Sequence, residues 1–293
     1  MFGAQQIIAL IGLLNNTLDP KYEVALIYIN LQCPSFLSSS SETPETTKHN
    51  TTTMATEIIL YDLACTKGVC FSPYVWKVRM MLNLKRIPYK TIFLEFPDIE
   101  WTLKPLVPPP TGGSTRYTVP AVQHIPSNTY IMDSAQIAPF LEATYPDPPI
   151  QQTSELGRTI EEQFGSVVGG PLGAMMIPRE MNILSPCAQE YFRQSREAYL
   201  GHKLEDLLKD SEEEERGWRA VSGQMTALSE LMRTNRDFGP FVLGSKPSLT
   251  DFFIAGSMQT ARVVDEGVFL RVAAYDGFKR VYEACSPYME RND

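Results

Sequence analysis

Two places in the sequence put a hydroxyl where a helix is expected to begin. Ser72 stands directly before Pro73, and Trp76, Met80 and Leu84 then recur at helical spacing. Serine is a favoured N-cap, and proline at the first helical position loses nothing by lacking an N–H. A hydroxyl there lies beside unpaired backbone N–H groups and the positive end of the helix dipole, so it suits an anion. Asp133-Ser134 opens a second helix directly after a strand-like run. The Ser134 N–H and hydroxyl suit a carboxylate, and Asp133 suits an ammonium group. Ordinary capping also accounts for each of these starts. Other chemistries have less to stand on. His49, His124 and His202 are far apart and form no ligand-spaced cluster, so no metal is expected. Ser72 lacks the Gly-x-Ser-x-Gly context of a hydrolase nucleophile, and no glycine-rich phosphate loop is present.

The elements that must position these residues follow from periodicity and punctuation. Residues 57–63 read as a strand, Ser72-Pro73 opens a helix that ends at Ile87-Pro88, and 89–96 reads as a second strand. A long loop rich in Pro and Gly follows. Two short runs, Ala121 to His124 and Thr129 to Met132, flank Pro126-Ser127-Asn128 as a hairpin. The Asp133-Ser134 helix runs to about Thr144, with Pro139 expected to kink or shorten it. The order β-α-β-loop-β-β-α then gives way, after the linker-like Tyr145-Pro146-Asp147-Pro148-Pro149, to helical patterns alone. Among these, Trp218, Val221, Met225, Leu228 and Met232 share one helix face. Ser248-Leu249-Thr250-Asp251 is a capping box with Asp in place of the usual Glu or Gln.

The sequence has 293 residues, 43% hydrophobic and 20% charged, enough to bury a core. A net charge of -8 argues against a general nucleic-acid binder, which would carry a basic stripe. Five scattered cysteines suit a reducing compartment, and no apolar run is long enough to span a membrane, so a cytoplasmic location is expected. Residues 1–53 differ in character. From Ser38 to Thr53, ten of sixteen residues are Ser or Thr, a tract with little to bury. Residues 1–53 are therefore expected to be a disordered or non-native extension, with a natural start at Met54. The expected organisation is 54–144 as an α/β domain, 145–150 as linker and 151–293 as an all-helical domain.

Four motifs resemble the soluble glutathione transferases, and within them the serine-type fungal group similar to lignin β-etherases. They are Phe71-Ser72-Pro73-Tyr74-Val75-Trp76-Lys77, Tyr117-Thr118-Val119-Pro120, Met132-Asp133-Ser134-Ala135-Gln136-Ile137-Ala138, and Gly244-Ser245-Lys246-Pro247-Ser248-Leu249-Thr250-Asp251. The resemblance implies a thioredoxin-like N-terminal domain, an all-helical C-terminal domain and a homodimer. It implies glutathione as cosubstrate and a small hydrophobic electrophile as second substrate, with no nucleic acid and no membrane. Ser72 is then the catalytic group that stabilises the thiolate. Thiols near pKa 8.5 are lowered at helix N-termini, and a two-unit drop corresponds to about 2.7 kcal/mol. Val119 is expected to pair with the cysteinyl part of glutathione through a turn in which Pro120 is cis. Asp133 and Ser134 match the γ-glutamyl ammonium and carboxylate. Lys104 or Arg116 is a candidate for the glycyl carboxylate.

The implied activity is attack on an electrophilic carbon, by conjugation or by ether cleavage, in detoxification or fungal secondary metabolism. Two alternatives stand beside it. One is a protein that binds glutathione or hydrophobic ligands without turnover. The other is a glutathione-dependent reductase using Cys70, although the position before the helix-opening Pro73 is Ser72 and no C-x-x-C is present.

Overall fold

The structure, a computed structural model, describes residues 55–108, 116–208 and 211–291. The expected extension 1–53 and the start at Met54 lie outside the described residues. A four-stranded sheet has the order β2-β1-β3-β4, from β1 (Ile58–Leu63), β2 (Tyr89–Leu94), β3 (Ala121–His124) and β4 (Thr129–Met132). β1 and β2 are parallel, whereas β1–β3 and β3–β4 are antiparallel. The register pairs Tyr61 with both Ile92 and Ala121, so the centre of β1 is hydrogen-bonded on both sides.

Side chains alternate across a strand, and β1 feeds two different cores. Ile58 and Leu60 pack with α1 (Pro73–Leu84) on one face, while Tyr61 and Leu63 pack on the other with Ile99 and Leu103. Those two belong to a short helix, α2 (Asp98–Leu103), where the sequence reading has only loop. Six residues are too few for a periodic signal, but Ile99 and Leu103 sit one turn apart and both are buried. Asp98 and Glu100 occupy the first turn, where the helix dipole favours acids.

The third sheet-domain helix, α3 (Ser134–Thr144), contains Pro139 and nonetheless runs its full eleven residues. The expected shortening is therefore not found. Ile137, Ala138 and Leu141 are buried together on one side, and this tertiary packing holds the helix across the missing hydrogen bond.

The remaining chain is helical, as the fold class expected: α4 (Glu155–Val167), α5 (Gly173–Glu180), α6 (Pro186–Leu200), α7 (Ser211–Met232), α8 (Leu249–Val264), α9 (Glu266–Ala273) and α10 (Asp276–Cys285). On α7, Trp218, Val221, Met225, Leu228 and Met232 are all buried, as their spacing implies. The Ser248 capping box forms at the start of α8. Asp251 Oδ2 accepts from the Ser248 N–H at 2.8 Å and Oγ–H at 2.6 Å, while Oδ1 accepts from the Val242 N–H at 2.8 Å.

α8 is the bridge between domains. It packs along α1, whose Val75, Trp76, Val78, Met80 and Met81 are buried. Gly256 makes the approach possible, because a Cβ at that position would lie 2.8 Å from Trp76 Cβ and 2.9 Å from the Pro73 carbonyl oxygen. The start of α1 is thus clamped from both sides, by the sheet and by the helical domain.

Candidate active site

The clamp begins beneath Ser72. Arg79 of α1 and Asp62 of β1 form a fully buried ion pair at 2.8 Å, and the same guanidinium donates to Thr91 Oγ1 at 3.1 Å on β2. Such a pair registers helix against sheet, and removing one partner would strand a buried charge. Above it, the Trp76 indole N–H donates to the Cys70 carbonyl at 3.1 Å, and the Cys70 thiol donates to the Ser72 carbonyl at 3.8 Å. These bonds fix the turn that leads into α1.

Ser72 is the residue immediately before α1, with φ -82° and ψ 125°, but its side chain makes no capping hydrogen bond. This differs from the ordinary cap anticipated for a Ser-Pro start. Ser72 is 8% exposed, and its hydroxyl is not committed to its own helix. Cys70, by contrast, is fully buried, and burial together with the nearby Asp62 carboxylate pushes its thiol well above the ordinary range. A fully buried thiol with a raised pKa is a poor nucleophile, which weighs against the reductase reading through Cys70.

Two backbone features bring further candidates together. The Val119-Pro120 peptide bond is cis, and the Pro120 carbonyl accepts from the Asp133 N–H at 3.0 Å. The start of β3 is thereby tied to the β4–α3 junction. At that junction Asp133 has φ 79° and ψ 126°, a conformation costly for a residue with a Cβ. Its carboxylate accepts from the Ala135 N–H at 3.0 Å, leaving Oδ2 clear of that bond. Asp133 is exposed while Ser134, the first residue of α3, is only 5% exposed. Strain of this kind, about 1–3 kcal/mol, persists where the surroundings over-determine it.

The motif reading gave no role to Tyr74 and Lys77, which neighbour Asp133, or to Glu161, which neighbours both of them. Tyr74 and Lys77 lie one turn apart on α1, and Glu161 lies on α4. Burial pushes the Tyr74 phenol up, with Glu161 and Asp133 adding to the shift. Burial lowers the Lys77 ammonium, and the same two carboxylates oppose that. Lys77 lies 6.0 Å from the Phe253 ring centroid and makes no ion pair among the described residues. The i, i+3 spacing of Tyr74 and Lys77 was available in the sequence, whereas Glu161 comes from the other domain and carries no local signal.

Lys104 stands apart from this grouping in its contacts. It lies at the end of α2, 64% exposed at its side chain, and pairs with Glu100 at 3.1 Å. Arg116 is half-buried just before the Tyr117–Pro120 stretch.

Comparisons with known proteins bear on this arrangement. The profile described as "Glutathione S-transferase, N-terminal domain" matches residues 71–144, and that of the "C-terminal domain" matches residues 156–288. The chain belongs to the glutathione S-transferase family. It is 34% identical over 201 residues to the glutathione S-transferase-like protein ustS of Aspergillus flavus, across 63% of this chain and 71% of that one. Among solved structures, the glutathione S-transferase CsGST63524 of Ceriporiopsis subvermispora, in complex with glutathione, superposes with a TM-score of 0.72. It is 28% identical and the match covers 81% of this chain and 99% of that one. Glutathione transferase GSTFuA2 of Phanerochaete chrysosporium gives a TM-score of 0.67 at 30% identity, covering 82% and 100%. The sheet domain followed by the helical domain is the architecture of this family. Among the described residues no cluster of His, Cys, Asp and Glu could hold a metal, and no helix is long and apolar enough to cross a membrane.

Proposed function

We propose that the chain is a glutathione-dependent transferase in which Ser72 stabilises the glutathione thiolate for attack on an electrophilic, largely apolar substrate. The observation that carries the reading is the uncommitted Ser72 hydroxyl at the start of α1. A sulfur held there takes the hydroxyl as a donor and sits at the positive end of the helix. Once the thiol proton has left to solvent, the sulfur lone pair attacks the carbon, and the leaving group departs with its bonding electrons. The protein supplies orientation and a preorganised donor.

The other ligand groups fall into place around that sulfur. Val119, beside the cis bond, offers its backbone to the cysteinyl peptide. Asp133 takes the γ-glutamyl ammonium, and the buried Ser134 start of α3 takes the α-carboxylate, with Lys77 adding positive potential on that side. Lys104, which also pairs with Glu100, and Arg116, which adjoins the cis-proline segment, are the candidates for the glycyl carboxylate.

The decisive measurement is the ultraviolet thiolate absorbance of bound glutathione against pH, in the wild type and in Ser72→Ala. The wild type is expected to titrate below the ordinary thiol value near 8.5, and Ser72→Ala to titrate higher. Conjugation by Ser72→Ala should fall most at neutral pH and recover in part as the thiol ionises unaided. An unlowered wild-type titration would leave a binding protein as the better description.

A further inference from the structure

On the helical-domain side of the site, two opposite charges face each other without meeting. Glu180 ends α5 and Arg196 lies on α6. They are each other's electrostatic neighbours, yet they form no ion pair or hydrogen bond with one another among the described residues. The Arg196 guanidinium lies over the Phe192 ring at 4.6 Å from its centroid, and among the described residues its one hydrogen bond is a long 3.4 Å contact with Ser195 Oγ. Both residues are half-buried. A planar five-donor group stacked on an aromatic ring and left unpaired is built to receive a flat anion.

The location ties this pair to the surroundings of Ser72 and the cis-proline segment. Phe192 packs in the same apolar cluster as Phe71, the neighbour of Ser72, and Tyr117 and Val119 of the cis-proline segment border that cluster. The Phe96 ring meets Phe192 at 5.5 Å and Tyr191 at 6.4 Å, forming an aromatic wall beside the guanidinium. Arg116 faces Arg196 from the segment before the cis-proline. Arg196 thus stands on the helical-domain wall that borders the cis-proline segment, on the side where an acceptor bound next to Ser72 would extend.

We infer that the second substrate is an aromatic electrophile bearing a carboxylate, held by the Arg196 guanidinium with Glu180 as its neighbour across the gap. This rests on the transferase reading above and names the acceptor class. Burial pushes the Glu180 carboxyl up to about 7, with Arg196 opposing the shift. Near neutrality Glu180 is thus partly protonated and donates to the incoming carboxylate, whereas at higher pH its charge repels the ligand. The charged or titratable groups facing this point are Glu180 from α5, Arg196 and Tyr191 from α6, and Arg116 from the segment before β3.

The test compares 4-(chloromethyl)benzoate with its methyl ester in the full-length protein. In both, a C–S bond forms and chloride leaves with the C–Cl electrons. The acid is expected to exceed the ester in kcat/KM by about tenfold or more, the worth of one charge-assisted contact. Arg196→Gln should bring that ratio close to one, chiefly through KM, and Arg196→Lys should restore part of it. In the wild type the preference should decline above neutral pH, and Glu180→Gln should hold it level. Equal use of acid and ester by the wild type, or a ratio unaltered in Arg196→Gln, would overturn the proposal. Calorimetry with inert 4-methylbenzoate on the glutathione-saturated protein separates the two readings. A lowered thiol titration with no 4-methylbenzoate binding sinks the acceptor assignment alone, and binding that Arg196→Gln weakens about tenfold supports it even if neither chloride is turned over.

Discussion

Two helices in this protein begin with the same dipeptide and use it differently. Ser185-Pro186 opens α6, and the Ser185 hydroxyl accepts from the Ala188 N–H at 3.2 Å. Ser72-Pro73 opens α1 with the same proline advantage and a similar extended serine, yet no such bond forms. Ser154 and Ser248 behave like Ser185, accepting at 3.0 Å from Gly157 and 3.4 Å from Asp251. Capping is therefore what serine does at helix starts in this chain, and Ser72 departs from it. The contrast separates a hydroxyl that stabilises the fold from one that leaves its own helix uncapped. It supports the role proposed for Ser72 without reference to any relative.

The contrast can be broken most sharply by exchanging functions. Ser72→Ala is expected to lower conjugation at neutral pH by roughly a hundredfold, the scale of losing one preorganised donor. Thermal stability should move little, because no capping bond is lost. A large drop in melting temperature without a kinetic defect would make Ser72 a structural residue like the others.

A smaller effect is expected at α3, where the ligand contact lies far from sulfur. Replacing Asp133 and Ser134 together with Ala should weaken glutathione affinity by about tenfold to a hundredfold, at about 1.5–3 kcal/mol per charge-assisted bond. The rate at saturating glutathione should change much less, since contacts remote from the reacting atom serve ground and transition states alike. Calorimetry of a folded double variant checks this, and unaltered affinity would remove Asp133 and Ser134 from the site.

The smallest effect belongs to the other Ser-Pro start. Ser185→Ala should cost about 1 kcal/mol of stability, seen as a lower denaturation midpoint, and leave the bound thiol's titration in place. A shift in that titration would mean that Ser185 and Ser72 are not independent and that the comparison fails.

Much of this was legible from the sequence, for reasons that differ by residue. The strand bounds at Ala121–His124 and Thr129–Met132 follow from a hairpin punctuated by Pro126-Ser127-Asn128. The α7 face followed from five apolar residues at alternating three and four spacing. Local chemistry was enough in both cases. Helix α2 was hidden because six residues cannot display a period. The persistence of α3 through Pro139 was hidden because burial of Ile137 and Leu141, a tertiary matter, overrides the local penalty. At the candidate site, the sequence singled out Ser72 and Asp133 but could not say whether Ser72 caps its helix, since a Ser-Pro dipeptide permits both states. Glu161, Glu180 and Arg196 were out of reach altogether, because their meaning arises only from what the helical domain sets opposite the sheet domain.

The close contact at Gly256 bears on how this protein can diversify. The α8 backbone rests against the Pro73 carbonyl, one residue from Ser72, with no room for a Cβ. The two domains consequently cannot be recombined as free modules. A helical half transplanted from a relative would have to bring glycine at this crossing, or it would prise α1 away and carry Ser72 with it. Segments such as α6, which lie away from this crossing, are the parts that can vary while the start of α1 stays in place.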